Sequence, residues 1–189
     1  MKNILILFLF SFLVVGCQFE FEEKDLKFYN NYKTGDLLLF RNNLNEIDSF
    51  RITEKNIYYT NWTPIERDGK YNPPNAIIKY EKCNTNDFKI FNGNRNVYED
   101  PNFLHFRKHS PDSPTEITFS FENIFKEFNI DMKSVKKEKV LIKDKITDCY
   151  IFTEDNIYIK PKEIKKIYLD KDFQILKYEL ENGNVSTKL

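Results

Sequence analysis

Short runs of alternating apolar and polar residues, each closed by a turn signal, constrain this chain more than any other feature. Phe50 and Ile52 alternate with Arg51 and Thr53, and Ile117 and Phe119 alternate with Thr118 and Ser120. A period of two sends successive side chains to opposite faces of a strand, so each run buries one face. The runs recur roughly every 8 to 15 residues, the spacing of an all-β domain. Composition points the same way. Ala occurs once, at Ala76, against 18 Phe and 11 Tyr, which favours strands over helices.

In order, the expected strands begin with 36–40 and 50–53, joined as a hairpin across the Asn-rich stretch 41–46. Next come 57–62, stopped before Pro64, then 76–80 after Pro73-Pro74, 87–91 before Asn92-Gly93, and 103–106. Residues 117–120 follow the loop bracketed by Pro111 and Pro114. Then come 138–143 and 147–153 around Lys143-Asp144-Lys145, and a short 157–159. Runs 164–169 and 175–180 read as a hairpin, and Asn182-Gly183 is a strong two-residue turn signal before a last strand at 185–189. The period changes once. Phe121, Ile124, Phe125 and Phe128 are spaced i, i+3, i+4, i+7, which predicts one short helix near 121–128 with Ser120 as its N-cap. The expected fold class is mainly β: an antiparallel sheet built from about ten or eleven of these strands, curled as a barrel or open half-barrel. No linker divides it, and no internal repeat is visible.

The N-terminus carries a different signal. Lys2 precedes an apolar run, Ile4 to Val15, that ends in Val14-Val15-Gly16-Cys17. The run spans roughly 18 Å as a helix, short of a bilayer core of about 30 Å. A charged start, a short apolar run and a small residue before the cut make an export signal. A cysteine directly after that small residue resembles the lipobox of bacterial lipoproteins. The resemblance implies cleavage before Cys17, a thioether-linked diacylglycerol on its sulfur, and acylation of its new amine. Two or three acyl chains anchor a protein stably where one does not. The expected organisation is a signal peptide at 1–16, the acylated cysteine with a flexible acidic tether at 17–34, and a single β-rich domain at 35–189. Its expected location is the cell envelope, held at the outer membrane.

Two further patterns carry a resemblance to small bacterial envelope lipoproteins. One is Tyr32-Lys33-Thr34-Gly35-Asp36 leading to Asp48-Ser49-Phe50-Arg51-Ile52-Thr53; the other is Ile164-Lys165-Lys166-Ile167-Tyr168 followed by Ile175-Leu176-Lys177-Tyr178-Glu179 and Asn182-Gly183. The resemblance bears on class and location and implies no activity.

Charge excludes one large class of partner. Lys+Arg and Asp+Glu number 29 each, so no basic excess points to nucleic acid. With Cys17 acylated, Cys83 and Cys149 remain as a candidate disulfide, which would close a loop of about 65 residues worth roughly 4 kcal/mol; two separate thiols are the alternative. His105 and His109 are four apart, a weak metal pattern without a neighbouring Glu. Asp170 and Asp172 flank Lys171 as turn residues. The lysines of 133–145 and 160–171 offer a surface for anionic lipid or glycan. Trp62, Tyr58, Tyr59 and Tyr80 form a candidate aromatic cleft. No GxSxG, Gly-rich phosphate loop or CxxC is present, so no catalytic residue, metal or cofactor is assigned. The expectation is a non-catalytic binding or structural module with an unknown ligand. Its partners would be the membrane through the anchor, then another envelope protein, a lipid or a glycan. A carrier or chaperone with an apolar cavity is the alternative, and an envelope hydrolase a distant third.

Overall fold

The computed structural model describes residues 17–60, 71–83, 102–154 and 160–189. Its strands are β1 (Cys17–Gln18), β2 (Leu37–Asn42), β3 (Ile47–Tyr59), β4 (Tyr71–Asn72), β5 (Pro74–Lys82), β6 (Asn102–Arg107) and β7 (Glu116–Phe121). They continue as β8 (Ile124–Asn129), β9 (Lys137–Ile142), β10 (Lys145–Thr153), β11 (Ile164–Leu169), β12 (Ile175–Leu180) and β13 (Val185–Lys188). Eleven of them form one antiparallel sheet in the order β8-β7-β6-β5-β3-β2-β13-β12-β11-β10-β9. The sheet curls into an open half-barrel with β8 and β9 at its free edges. The mainly β expectation therefore holds. The expected strands at 50–53 and 57–62 are one long strand, β3, over the part described. Those at 87–91 and 157–159 lie outside the described residues.

The helix near 121–128 is a correction: residues 116–129 form the β7–β8 hairpin, with Phe121 opposite Ile124. Glu122 turns the chain with φ 54°, a conformation no helix contains. Inward residues then run Ile117, Phe119, Phe121 up one strand and Ile124, Phe128 down the next, all buried, while Phe125 is 56% exposed. The two-residue turn adds a phase step to a period of two, and the sum imitates helical spacing.

The inner face is filled with rings. Phe121 meets Phe50 at 4.8 Å, Tyr80 at 5.3 Å, Phe103 and Tyr178 at 6.1 Å and Phe40 at 6.3 Å between centroids. Nearer the β10 side, Phe152 packs on Phe119 at 5.1 Å and on Phe128 at 5.4 Å. These contacts draw β7 and β8 against β10. Asn123 ties the same corner: its amide donates to the Ile164 carbonyl at 2.8 Å and its side-chain oxygen accepts the Ile164 N–H at 2.7 Å.

Residues 25–32 belong to this core, where the sequence suggested a solvated spacer. Two single-turn 3-10 helices, Glu23–Leu26 and Tyr29–Asn31, carry Phe28, Tyr29 and Tyr32 into burial. Phe28 stacks on Phe173 at 4.9 Å, and the Tyr32 hydroxyl donates to the Phe173 carbonyl at 2.6 Å. Burial pushes the Tyr32 phenol well up, with Asp170 and Asp36 adding to it. Asp25 is the deepest link. Its carboxylate accepts from Lys108 Nζ at 2.7 Å, the Thr115 hydroxyl at 2.8 Å and the Glu22 N–H at 2.9 Å. Asp25, Lys108 and Thr115 are all buried. Burial alone would raise the Asp25 carboxyl, but these three donors hold it below the usual range.

The half-barrel has two unlike ends. The upper end carries the β2–β3, β7–β8 and β12–β13 turns. The lower end carries the end of β3, the start of β5, the β6–β7 loop and the β9–β10 turn. The N-terminal segment sits at the lower end, through Asp25 on Lys108 and Thr115 and through β1, which pairs in parallel with β4 just before β5.

Candidate functional site

A cleft of about 820 Å³ opens at the upper end, where turns far apart in sequence converge. Asn42 and Glu46 come from the β2–β3 turn, Asp48 and Phe50 from β3, and Tyr80 and Lys82 from β5. Glu122 and Asn123 come from the β7–β8 turn, Glu163 precedes β11, and Tyr178 lies on β12.

Its phenols are bonded to neighbouring groups, and carboxylates are prominent in its lining. Tyr178 donates to Asp48 Oδ2 at 2.5 Å, and Lys82 Nζ lies 3.4 Å from Asp48 Oδ1. Burial, with the Asp48 bond second, pushes the Tyr178 phenol upward. The Tyr80 hydroxyl accepts the Glu122 N–H at 2.7 Å and so holds the left-handed turn residue in place. Burial also raises Tyr80. Glu122 is exposed on its turn, yet its carboxylate lines the cleft and is pushed up. Desolvation there comes first, and the charge of Asp48 reinforces it against Lys82. Four carboxylates, Glu46, Asp48, Glu122 and Glu163, share the lining with two lysines, Lys82 and Lys162. The arrangement suits hydroxyls and amines; it offers little to an acyl chain.

The sequence did not single out this cleft. Asp48 and Tyr178 stand only as members of longer strand patterns, and Glu122 fell inside the apparent helix. Of the candidate residues it did single out, Tyr80 lines the cleft, as does Lys162 from the lysines of 160–171. Tyr58 and Tyr59 lie at the far end of β3, and Trp62 lies outside the described residues. His105 Nε2 bonds Asn75 Oδ1 at 3.0 Å, and His109 Nε2 pairs with Glu116 at 3.1 Å, so each ring has its own partner. Among the described residues no group of His, Cys, Asp or Glu gathers as metal ligands. Asp170 shapes a turn, accepting the N–H groups of Asp172 at 2.9 Å and Gln174 at 2.8 Å.

Cys83 and Cys149 are both free thiols, so the structure does not join the pair that the cysteine count suggested. Five strands, β3, β2, β13, β12 and β11, separate β5 from β10 in the sheet. Cys83 follows β5 and is exposed; Cys149 packs in β10 with Ile151 and Tyr168. Burial, then Asp170 and Asp148, raise the Cys149 thiol. A thiol reagent added to folded protein is expected to modify Cys83 rapidly and Cys149 only on unfolding, read by mass with time.

The Cys17 backbone lies in β1; its role as a lipid acceptor rests on sequence. Compared with protein-family models, with curated proteins and with solved structures, the chain matches none.

Proposed function

We propose that the protein is a lipid-anchored module of the cell envelope that binds a polar ligand without catalysis. Val14-Val15-Gly16-Cys17, following a short apolar run, carries this reading. Residues 1–16 export the chain, and acyl chains on Cys17 hold it at the membrane. Asp25 lies only eight positions after Cys17, a reach of at most about 29 Å, and Phe21 already packs against the core. The domain therefore rides close to the bilayer on its lower end, with the carboxylate-lined cleft at the end turned away. The ring-filled interior supports a binding module over a carrier, because a carried acyl chain would need the volume that Phe103, Phe119, Phe121 and Phe173 occupy.

Cys17→Ser tests the anchor. The variant is expected to leave the detergent-soluble membrane fraction and to lose metabolic labelling by fatty acid. A variant that keeps its membrane association without lipid contradicts the reading.

A further inference from the structure

The β9–β10 hairpin is the least supported part of the sheet. Tyr150, opposite Leu169, is the last residue of β10 paired to β11, so residues 145–149 pair with β9 alone. About 16 Å of strand runs past that point. The turn is a tight two-residue one, with Lys143 at φ 47° and Asp144 at φ 64°. On one side, Val140 and Ile142 pack against Cys149, Ile151 and Tyr168. On the other side, Leu141 and Ile146 stand directly opposite each other at 63% and 69% exposure. A cross-strand aliphatic pair at a protruding tip, with nothing covering it, is a costly thing to leave in water.

The surrounding charge says what covers it. Residues 133–148 carry six lysines against three acids. Lys133 and Lys136 are paired with Asp131 and Glu138. Lys139, Lys143 and Lys145 are exposed, and none has an ion pair among the described residues. An apolar tip collared by lysines complements an anionic lipid surface, whose headgroups meet the amines while the aliphatic carbons enter the acyl boundary. The tip also lies at the end of the half-barrel that carries the Cys17 backbone. We infer that Leu141 and Ile146 form a second membrane contact, inserting into an anionic leaflet and fixing the orientation of the domain. This rests on the anchored reading for where the bilayer lies, but the contact itself is independent of acylation.

The test uses the full chain with Cys83→Ser, with Cys17→Ser added where the chain is unacylated, and an environment-sensitive fluorophore on Ile146→Cys. A control carries the fluorophore on Asn43→Cys at the upper end. Each is mixed with vesicles of phosphatidylglycerol and phosphatidylethanolamine, and with vesicles of phosphatidylcholine alone. The label at 146 is expected to shift to the blue and to be quenched by lipid-borne quencher on the anionic vesicles, while that at 43 stays aqueous. Changing Lys139 and Lys143 to Gln should reduce the ratio of inserted to exposed tip by about five-fold per lysine, and Leu141→Ser should lower it further. A label at 146 that stays aqueous on anionic vesicles overturns the inference, acylated or not. One that is shielded without lipid as protein concentration rises gives the tip to a second copy of the chain and also overturns it. Mass analysis of the same preparation reports acylation separately: an inserted tip on an unacylated chain keeps this inference and removes the anchor.

Discussion

Asp25→Ala is expected to destabilise the protein by about 3 kcal/mol or more. The substitution leaves the buried Lys108 ammonium without its 2.7 Å partner and removes the acceptor of the Thr115 hydroxyl. Glu22, 3.6 Å from Lys108 and more than half exposed, replaces little of this. For a domain of this size the loss corresponds to a fall in Tm of about 6 °C or more. Replacing Asp25 and Lys108 together by apolar residues of similar volume should recover most of it, because an isolated buried charge costs more than a missing pair. The wild type carries a matching acid sensitivity. The Asp25 carboxyl titrates below the value of an unfolded aspartate, which is about 3.9, so its contribution is complete above that unfolded value and is lost as pH falls through the lower, folded one. Urea titrations at neutral pH and near pH 3 measure both effects. Equal stability of wild type and Asp25→Ala at neutral pH would mean that the N-terminal segment is not bound to the fold through this residue.

Phe121→Ala and Phe125→Ala should differ widely although the two residues are four apart. Phe121 is fully buried and touches five aromatic rings, and its removal is expected to cost about 3–5 kcal/mol. Phe125 is 56% exposed on the outer face of β8, and its truncation should fall within about 0.5 kcal/mol of neutral. A helix over 121–128 would bury both and predict similar losses. Chemical denaturation of the two variants therefore distinguishes hairpin from helix without a new structure.

That pair also marks where the sequence stops being legible. Strand runs such as 164–169 and 175–180, and the Asn182-Gly183 turn with Gly183 at φ 85°, follow from local chemistry and can be read directly. The β7–β8 hairpin cannot, because its turn residues Glu122 and Asn123 carry no glycine; the left-handed Glu122 is held by the distant Tyr80 hydroxyl and Asn123 by the Ile164 backbone. Residues 25–32 were hidden for another reason. They follow an acidic stretch and show no sustained strand or helix period, while the partners that bury Asp25 and Phe28 lie at 108, 115 and 173. The cleft is the extreme case. Each lining residue has an ordinary local role, and only the curl of the open half-barrel brings Asp48, Glu122 and Tyr178 to one opening. The lipobox-like pattern at 14–17 was legible because it is contiguous and needs no fold.

Accurate mass of the N-terminal peptide, taken from protein extracted from membranes, bears most directly on the anchored module. The account predicts a chain that begins at Cys17 and carries a diacylglycerol on its sulfur, with or without a third acyl chain on its amine. A peptide that begins elsewhere, or a Cys17 with an unmodified thiol, would contradict it.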